Sequence, residues 1–488
     1  MNSKLMTEAS SLHLAMYPWL AMGHLTPFLH LSNKLANRDH RISFFIPKRT
    51  ISKLQHLNLH PHLITFIPIT VPHVHGLPYE AETTADVSPS SITHLATAID
   101  LTHNDIELLL KDLKPQIVIF DFQHWLPNIA RNHGIKCIQY AIVNPATVAY
   151  FASPARLHQG RNITELDLKK PPSPDFPDAS SIDLRAHELR NMVAVSKREF
   201  GSGVLFFDRL GTGADLSDAV AFKICREIEG PYVDYLESQY KKLVILAGPL
   251  LPEQPNTALD EKWESWLSNF KSGFLFLAAI KTPAGFNSME EVLPEGFKER
   301  NKEKSVVHGG WVPQQLLLGH PNVGCFITHC GGSSVTEALV NECQIVLLPG
   351  PYSDHVINAR ILGRKMKVRV EVEKGKEDGL FSKESVCKAV KIVMDDGNEV
   401  GREIRDNHTK HRHPLFLHHV AIIHRTKLPS RRPPQSCLSG RVLPHVSLHH
   451  DTTTPTIVSA SVEARHRLLP DGLPPAHHRA YCDSALRD

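Results

Sequence analysis

From Ser10 to Leu250 short apolar runs alternate with amphipathic stretches. Leu12 to Trp19 is an apolar strand candidate, and a Gly23-His24 turn leads into an amphipathic helix from about Thr26 to Leu35. Arg41 to Ile46 and Ile64 to Val71 read as the next strands, Ile99 to Leu113 as a helix, and Gln116 to Phe120 as a short β-rich run ending at Asp121. Repeated switching between strand and helix periods predicts an α/β fold with a doubly wound parallel sheet. Ligands of such sheets sit beyond the carboxyl ends of the strands, where Gly23-His24 and Asp121 both fall. Residues 151 to 190, rich in Pro, Ser and Asp, read as a loop. Leu243 to Leu250 reads as the last strand of a first domain (10–250), and Pro252 to Pro255 as a linker into a second alternating domain (251–407).

Within that second domain Val323 to Thr328 reads as a buried strand. His329-Cys330-Gly331-Gly332-Ser333-Ser334 follows, then a helix from Val335 to Asn341 and a strand from Ile345 to Leu348. A strand, a Gly-rich turn and a helix start suit a diphosphate, because glycine lets backbone approach closely and the free N–H groups bind an anion. His329 and the serines add donors. Ser334 and Glu337 also fit a capping box, and Trp311, just before Pro313, also fits a core aromatic. No G-x-G-x-x-G follows the first strand, which argues against a nicotinamide-dependent oxidoreductase.

The 488 residues, 42% hydrophobic and 22% charged, are enough for two ordinary soluble domains. No run of 18 or more apolar residues predicts a membrane span. Met1 to Ser11 is polar and does not resemble a secretory signal, so the expected location is the cytoplasm. The eight scattered cysteines, without a CxxC pair, read as reduced thiols, and the Asn162-Ile163-Thr164 acceptor pattern then carries no meaning. The net charge of +3 conceals a basic tail, rich in His, Arg and Pro from His408 onward, on a mildly acidic remainder. Neither part reads as a nucleic-acid binder.

The order WVPQ, HPNVGCFITHCGGSS, TEAL and LLPGPYSDH, from Trp311 to His355, resembles the signature box of plant secondary-metabolite (family 1) UDP-glycosyltransferases. The likeness runs from about residue 10 to about 407, and FDFQHWLP and TEALVNECQIVLLP are most similar to the branch-forming members, which add a sugar to a flavonoid or anthocyanin 3-O-glycoside. The resemblance implies two Rossmann-like domains of the GT-B type, a UDP-sugar co-substrate, a small-molecule acceptor, no metal or other cofactor, and a monomer. It implies that Trp311 stacks on uracil, that the backbone of Val312 bonds its edge, and that Gln314 and Glu337 hold the ribose. His329, Gly331, Ser333 and Ser334 would seat the diphosphate; Asp354 and His355 would hold the donor sugar. Gly332, Ser333 and His355 depart from the usual Trp, Asn and Gln, which leaves the donor sugar open.

Sugar transfer requires an acceptor hydroxyl to lose its proton as it attacks, and a neutral imidazole suits that task. Taken alone, a histidine after glycine is more often a turn residue, but the resemblance implies that His24 is the base and Asp121 its orienting carboxylate, in a single inverting displacement. Asp395-Asp396 beside Gly397 reads as a turn, not as a metal site.

Two features break the pattern. Trp266 to Gly273 passes directly into Phe274 to Ile280, which resembles the family's second strand, so a βα unit of ~30 residues is missing. In relatives that unit's strand is central to the sheet, and its loss would leave strand edges unpaired. The tail, 408–488, holds about a dozen of the 31 histidines without a sustained period and reads as disordered: a frame-shifted or mis-spliced end, a natural extension, or a His-rich metal-binding tract. These breaks motivate an alternative, a catalytically impaired homologue that at most binds ligand.

Overall fold

The computed structural model describes residues 11–158, 162–251, 258–268, 274–280, 282, 286–301, 304–412 and 456–462. The first sheet has seven parallel strands: β1 (His13–Tyr17), β2 (Arg41–Pro47), β3 (Ile64–Ile69), β4 (Ile117–Phe120), β5 (Lys136–Ala141), β6 (Ala219–Phe222) and β7 (Val244–Leu246). Their order is β3-β2-β1-β4-β5-β6-β7. Every residue of β1 and β6 is buried, as expected of strands covered on both faces. Winding reverses between β1 and β4, and this switch point opens a crevice at their carboxyl ends.

Helix α1 (Met22–Ala36) starts earlier than its periodicity suggests. The Gly23-His24 pair therefore lies in the helix's first turn and is not a free turn before it. The expected helix from Ile99 to Leu113 is two, Ile92–Leu101 and His103–Leu113, meeting at Thr102. The break accompanies a buried pair: both Asp100 oxygens accept from the Arg209 guanidinium at 2.7 Å. The Pro-rich stretch is not a plain loop either. Arg156, fully buried, donates to the carbonyls of Tyr150, Asp167 and Lys170 at 2.7–2.9 Å, and so gathers the chain around one cation. Helix α2 (Ala186–Ser196) follows it.

The second sheet contains β8 (Phe274–Ile280), β9 (Ser305–His308), β10 (Val323–Thr328), β11 (Gln344–Leu347), β12 (Val370–Glu371) and β13 (Thr456–Val462), in the order β12-β11-β10-β13-β8-β9. The anion-suited turn feeds helix α3 (Gly332–Leu339), and β11 leads to helix α4 (Ser353–Arg360).

Strand β13 corrects the sequence reading of the tail. It lies in the slot between β10 and β8 that the missing βα unit leaves open. It runs parallel to both, pairing Thr456–Val462 with Phe274–Ile280 on one side and Ile457–Ser461 with Val323–Thr328 on the other. A seam with hydrogen-bonding groups bare on both sides strongly favours any β-competent segment that reaches it. The helical stretch 399–412 also outlasts the family likeness, with His408 buried and 3.1 Å from the Leu339 carbonyl. The rest of the tail, including most of its histidines, lies outside the described residues. Among the described residues no three His, Cys, Asp or Glu side chains gather as a metal site, and no helix is long and apolar enough to cross a membrane.

Candidate active site

One half of the candidate site is assembled at the switch point. Asp121 directly follows β4 and is 1% exposed, whereas the His24 side chain keeps 17% exposure. His24 Nδ1 lies 2.5 Å from Asp121 Oδ2. A carboxylate only accepts, so Nδ1 is the donor, and in the neutral ring Nε2 then keeps its lone pair. The other carboxylate oxygen, Oδ1, accepts from the backbone N–H of Trp19 at 2.6 Å and of Phe122 at 2.8 Å. The Asp121 carbonyl accepts from Gln139 Nε2 at 2.9 Å. Two backbone N–H groups thus fix the carboxylate, a side-chain amide holds its backbone carbonyl, and the carboxylate fixes one ring. Phe122 packs edge-on against His24, in an aromatic cluster with Trp19, Phe200 and Phe206. Beneath it, Arg209 also donates to the carbonyls of Gly201 and Phe122.

The facing half belongs to the second sheet. Cys330 takes a left-handed φ of 72°, which turns the chain sharply after β10. A Cβ at Gly331 would lie 2.5 Å from His329 Nε2, so only glycine lets the imidazole fold over this turn. His329 Nδ1 is buried and has no hydrogen-bond partner among the described residues. Helix α3 begins at Gly332 with Gly331 as its cap and no side-chain cap bond. The Ser334–Glu337 capping box therefore does not form, because both residues already lie inside the helix. Glu337 instead accepts from Gln314 Nε2 at 2.8 Å, and the same nitrogen is 3.4 Å from Ser334 Oγ. Burial raises the Glu337 carboxyl above its ordinary range, against the pull of Gln314 and Lys223. Val312 packs on the apolar core, but Trp311 is 82% exposed and so is not a core aromatic.

Asp354 and His355 occupy the first turn of α4. Burial pushes the Asp354 carboxyl up to about 6, while the nearby His329 and His24 rings act in the opposite direction. His355 lies edge-on to His329, with ring centroids 4.8 Å apart. His24 of the first half and His329, Asp354 and His355 of the second thus lie near one another, while the Trp311 ring stands exposed.

Two contributions have no motif to announce them. Lys223, the residue after β6, donates from Nζ to Ser333 Oγ at 3.2 Å across the cleft. At the far end of α4 the buried Arg360 donates to both Glu188 oxygens of α2 at 2.6 and 2.7 Å, to Glu371 at 2.6 Å and to the Asp183 carbonyl at 3.0 Å. A lysine or arginine outside a signature carries no signal in one sequence.

Two parallel doubly wound sheets closing on a shared cleft form the GT-B architecture of glycosyltransferases. Solved structures share it. A UDP-glucose: anthocyanidin 3-O-glucosyltransferase in complex with UDP superposes with a TM-score of 0.63 at 22% identity, covering 83% of this chain and 94% of its own. UGT89C1 of Arabidopsis thaliana complexed with quercetin gives 0.63 at 19% identity, over 83% and 94%. The family model for UDP-glucoronosyl and UDP-glucosyl transferase matches residues 295–409. A cyanidin 3-O-galactoside 2''-O-xylosyltransferase of Actinidia chinensis var. chinensis is 51% identical, over 84% of this chain and 95% of that protein. An anthocyanidin 3-O-glucoside 2''-O-glucosyltransferase of Ipomoea nil is 49% identical, over 83% and 94%. The chain belongs to the UDP-glycosyltransferase family and is a glycosyltransferase of that kind.

Proposed function

We propose that the protein transfers a sugar from a UDP-sugar to a hydroxyl on the sugar of an anthocyanidin or related flavonoid 3-O-glycoside, with inversion. The observation that carries the reading is the His24–Asp121 pair at 2.5 Å, opposite a turn suited to a diphosphate. The names of the 51% and 49% identical relatives support the acceptor class.

In this reading His24 Nε2 takes the acceptor proton as the hydroxyl oxygen bonds to the anomeric carbon. The bond from that carbon to the diphosphate breaks, and UDP departs with the electron pair. Asp121 holds the ring's tautomer and stabilises the imidazolium as it forms. The exposed Trp311 face stacks on uracil, the backbone of Val312 bonds its edge, and Gln314 with Glu337 holds the ribose. His329, Gly331, Ser333 and Ser334 meet the diphosphate with imidazole, close backbone and hydroxyls at the start of α3. Asp354 and His355 reach the sugar hydroxyls from the start of α4. Because the protein itself supplies these anion donors, UDP should bind without an added metal. The impaired-homologue alternative rested on the missing βα unit and on the tail; against the first, β13 occupies the seam between β10 and β8.

The test is an assay of the purified chain against a panel of UDP-sugars with anthocyanidin 3-O-glycosides and their aglycones, with and without chelator. Transfer to the glycosides, unaffected by chelator, is expected. Transfer to aglycones alone, or none, refutes the acceptor assignment, and a strict Mg²⁺ requirement refutes the metal-independent donor site.

A further inference from the structure

We propose that Lys223, supplied by the first domain, binds the donor's diphosphate across the cleft; this rests on the turn after β10 being the diphosphate seat. Lys223 follows Phe222 at the carboxyl end of β6, the edge of the sheet where ligands collect. Its Nζ reaches the second residue of α3, Ser333, at 3.2 Å. Among the described residues it has no carboxylate within ion-pair distance. The Glu337 carboxylate, the charge that acts on it, is held by Gln314. An ammonium offers three donors, and one goes to Ser333.

The surroundings favour an anionic ligand. Burial pulls the Lys223 ammonium down to about 8, which marks a cation short of compensation. A purely structural lysine at an interface is normally matched with a carboxylate, because a buried charge without a partner is costly. Lys223 also lines a cavity between the domains, with Asn144 and Glu229 on one side and Gly332 and Thr336 on the other. Gly332 keeps that space open: a Cβ there would meet nothing nearer than the Ile142 carbonyl at 3.8 Å. In the family a Trp usually stands at this position, and its replacement by glycine leaves the amine a path to the first turn of α3. An ammonium beside the leaving diphosphate would also supply positive charge where negative charge develops.

The experiment is calorimetric titration of the full chain with uridine, UMP and UDP, for the wild type, Lys223→Met and Lys223→Arg. The wild type should prefer UDP over uridine strongly. Lys223→Met should lose about 10- to 100-fold in UDP affinity and keep its uridine affinity, consistent with removal of one charge-assisted contact. Lys223→Arg should recover most of the loss. An unchanged UDP-to-uridine ratio in Lys223→Met overturns the proposal, as does an equal loss for both ligands. Wild-type indifference between UDP and uridine would overturn the diphosphate seat itself, and so separates the two failures. If Lys223→Met melts early, Lys223→Gln, which keeps a donor but no charge, is read by the same ratio.

Discussion

Removing the tail after Arg412 should unfold the second sheet and leave the first one standing. The seven residues of β13 are flanked on both sides, by β8 and by β10. A strand of that length in a sheet interior engages roughly ten backbone hydrogen bonds, since each residue brings one donor and one acceptor. At about 0.5–1.5 kcal/mol net for each, their loss amounts to roughly 5–15 kcal/mol. A domain's whole stability is about 5–15 kcal/mol, so the second sheet has no reserve to absorb the cut. The assay is limited proteolysis of the full and truncated chains, with UDP titration and thermal unfolding followed by circular dichroism. The truncated chain should lose UDP binding and yield a resistant fragment within residues 11–251. A synthetic peptide spanning Pro455–Glu463 should restore part of the UDP binding. If the truncated chain binds UDP as well as the full chain and melts in the same transition, β13 is not a structural member of the sheet.

Three further outcomes are expected. Changing His24 to Ala should lower turnover by ~10²–10⁴-fold, with a much smaller change in UDP affinity, because the base acts in the transition state while the nucleotide is held by the other half; near-normal turnover would remove His24 from the mechanism. Changing Trp311 to Ala should weaken UDP binding by about 1–3 kcal/mol through loss of a stacking face, measured by titration, and unchanged affinity would mean that uracil does not lie on it. The third concerns Glu229, whose carboxyl burial pushes up to about 7 against its bonds to Ala146 N and Asn144 Nδ2. The folded state holds this proton more tightly than the unfolded one, so the stabilisation is complete below the ordinary carboxyl range and is lost as pH rises through about 7. Stability should fall by on the order of 3 kcal/mol over that window, at about 1.4 kcal/mol per pH unit, and denaturant titrations of Glu229→Gln should show a flatter pH profile.

Much of this arrangement is legible in the sequence because it repeats. Strands β1, β2 and β10 are nearly continuous apolar runs, and the stretch from Val323 to Leu348 gives strand, turn, helix and strand in the order expected. The structure adds that His24 lies inside its helix and that Glu337 bonds Gln314 and not a helix cap, both consequences of where a helix starts, which periodicity reads poorly. Strand β6, AVAF, is less β-branched than the equally short β4, IVIF, and is missed, and Lys223 is missed with it. Helix α2 hides behind a Pro-rich stretch whose order depends on Arg156, a long-range contact. Strand β13 is overlooked because the composition of the surrounding tail outweighs it. The run Thr456 to Val462, free of glycine, proline and charge between Pro455 and Glu463, is the signal that could have found it.

Helix α4 is a lever. Its first turn carries Asp354 and His355, and its last residue, Arg360, is pinned to the first domain through Glu188. The arm from Asp354 to Arg360 is about 9 Å long, at about 1.5 Å of rise per residue. A rotation of roughly 10° about the pinned end would carry the Asp354 end through about 1.5 Å, well beyond the ~0.5 Å that a reacting geometry tolerates. Arg360 therefore acts beside the Arg185–Glu371 and Arg364–Asp183 pairs as a tie through which any tilt between the two sheets reaches the Asp354 end.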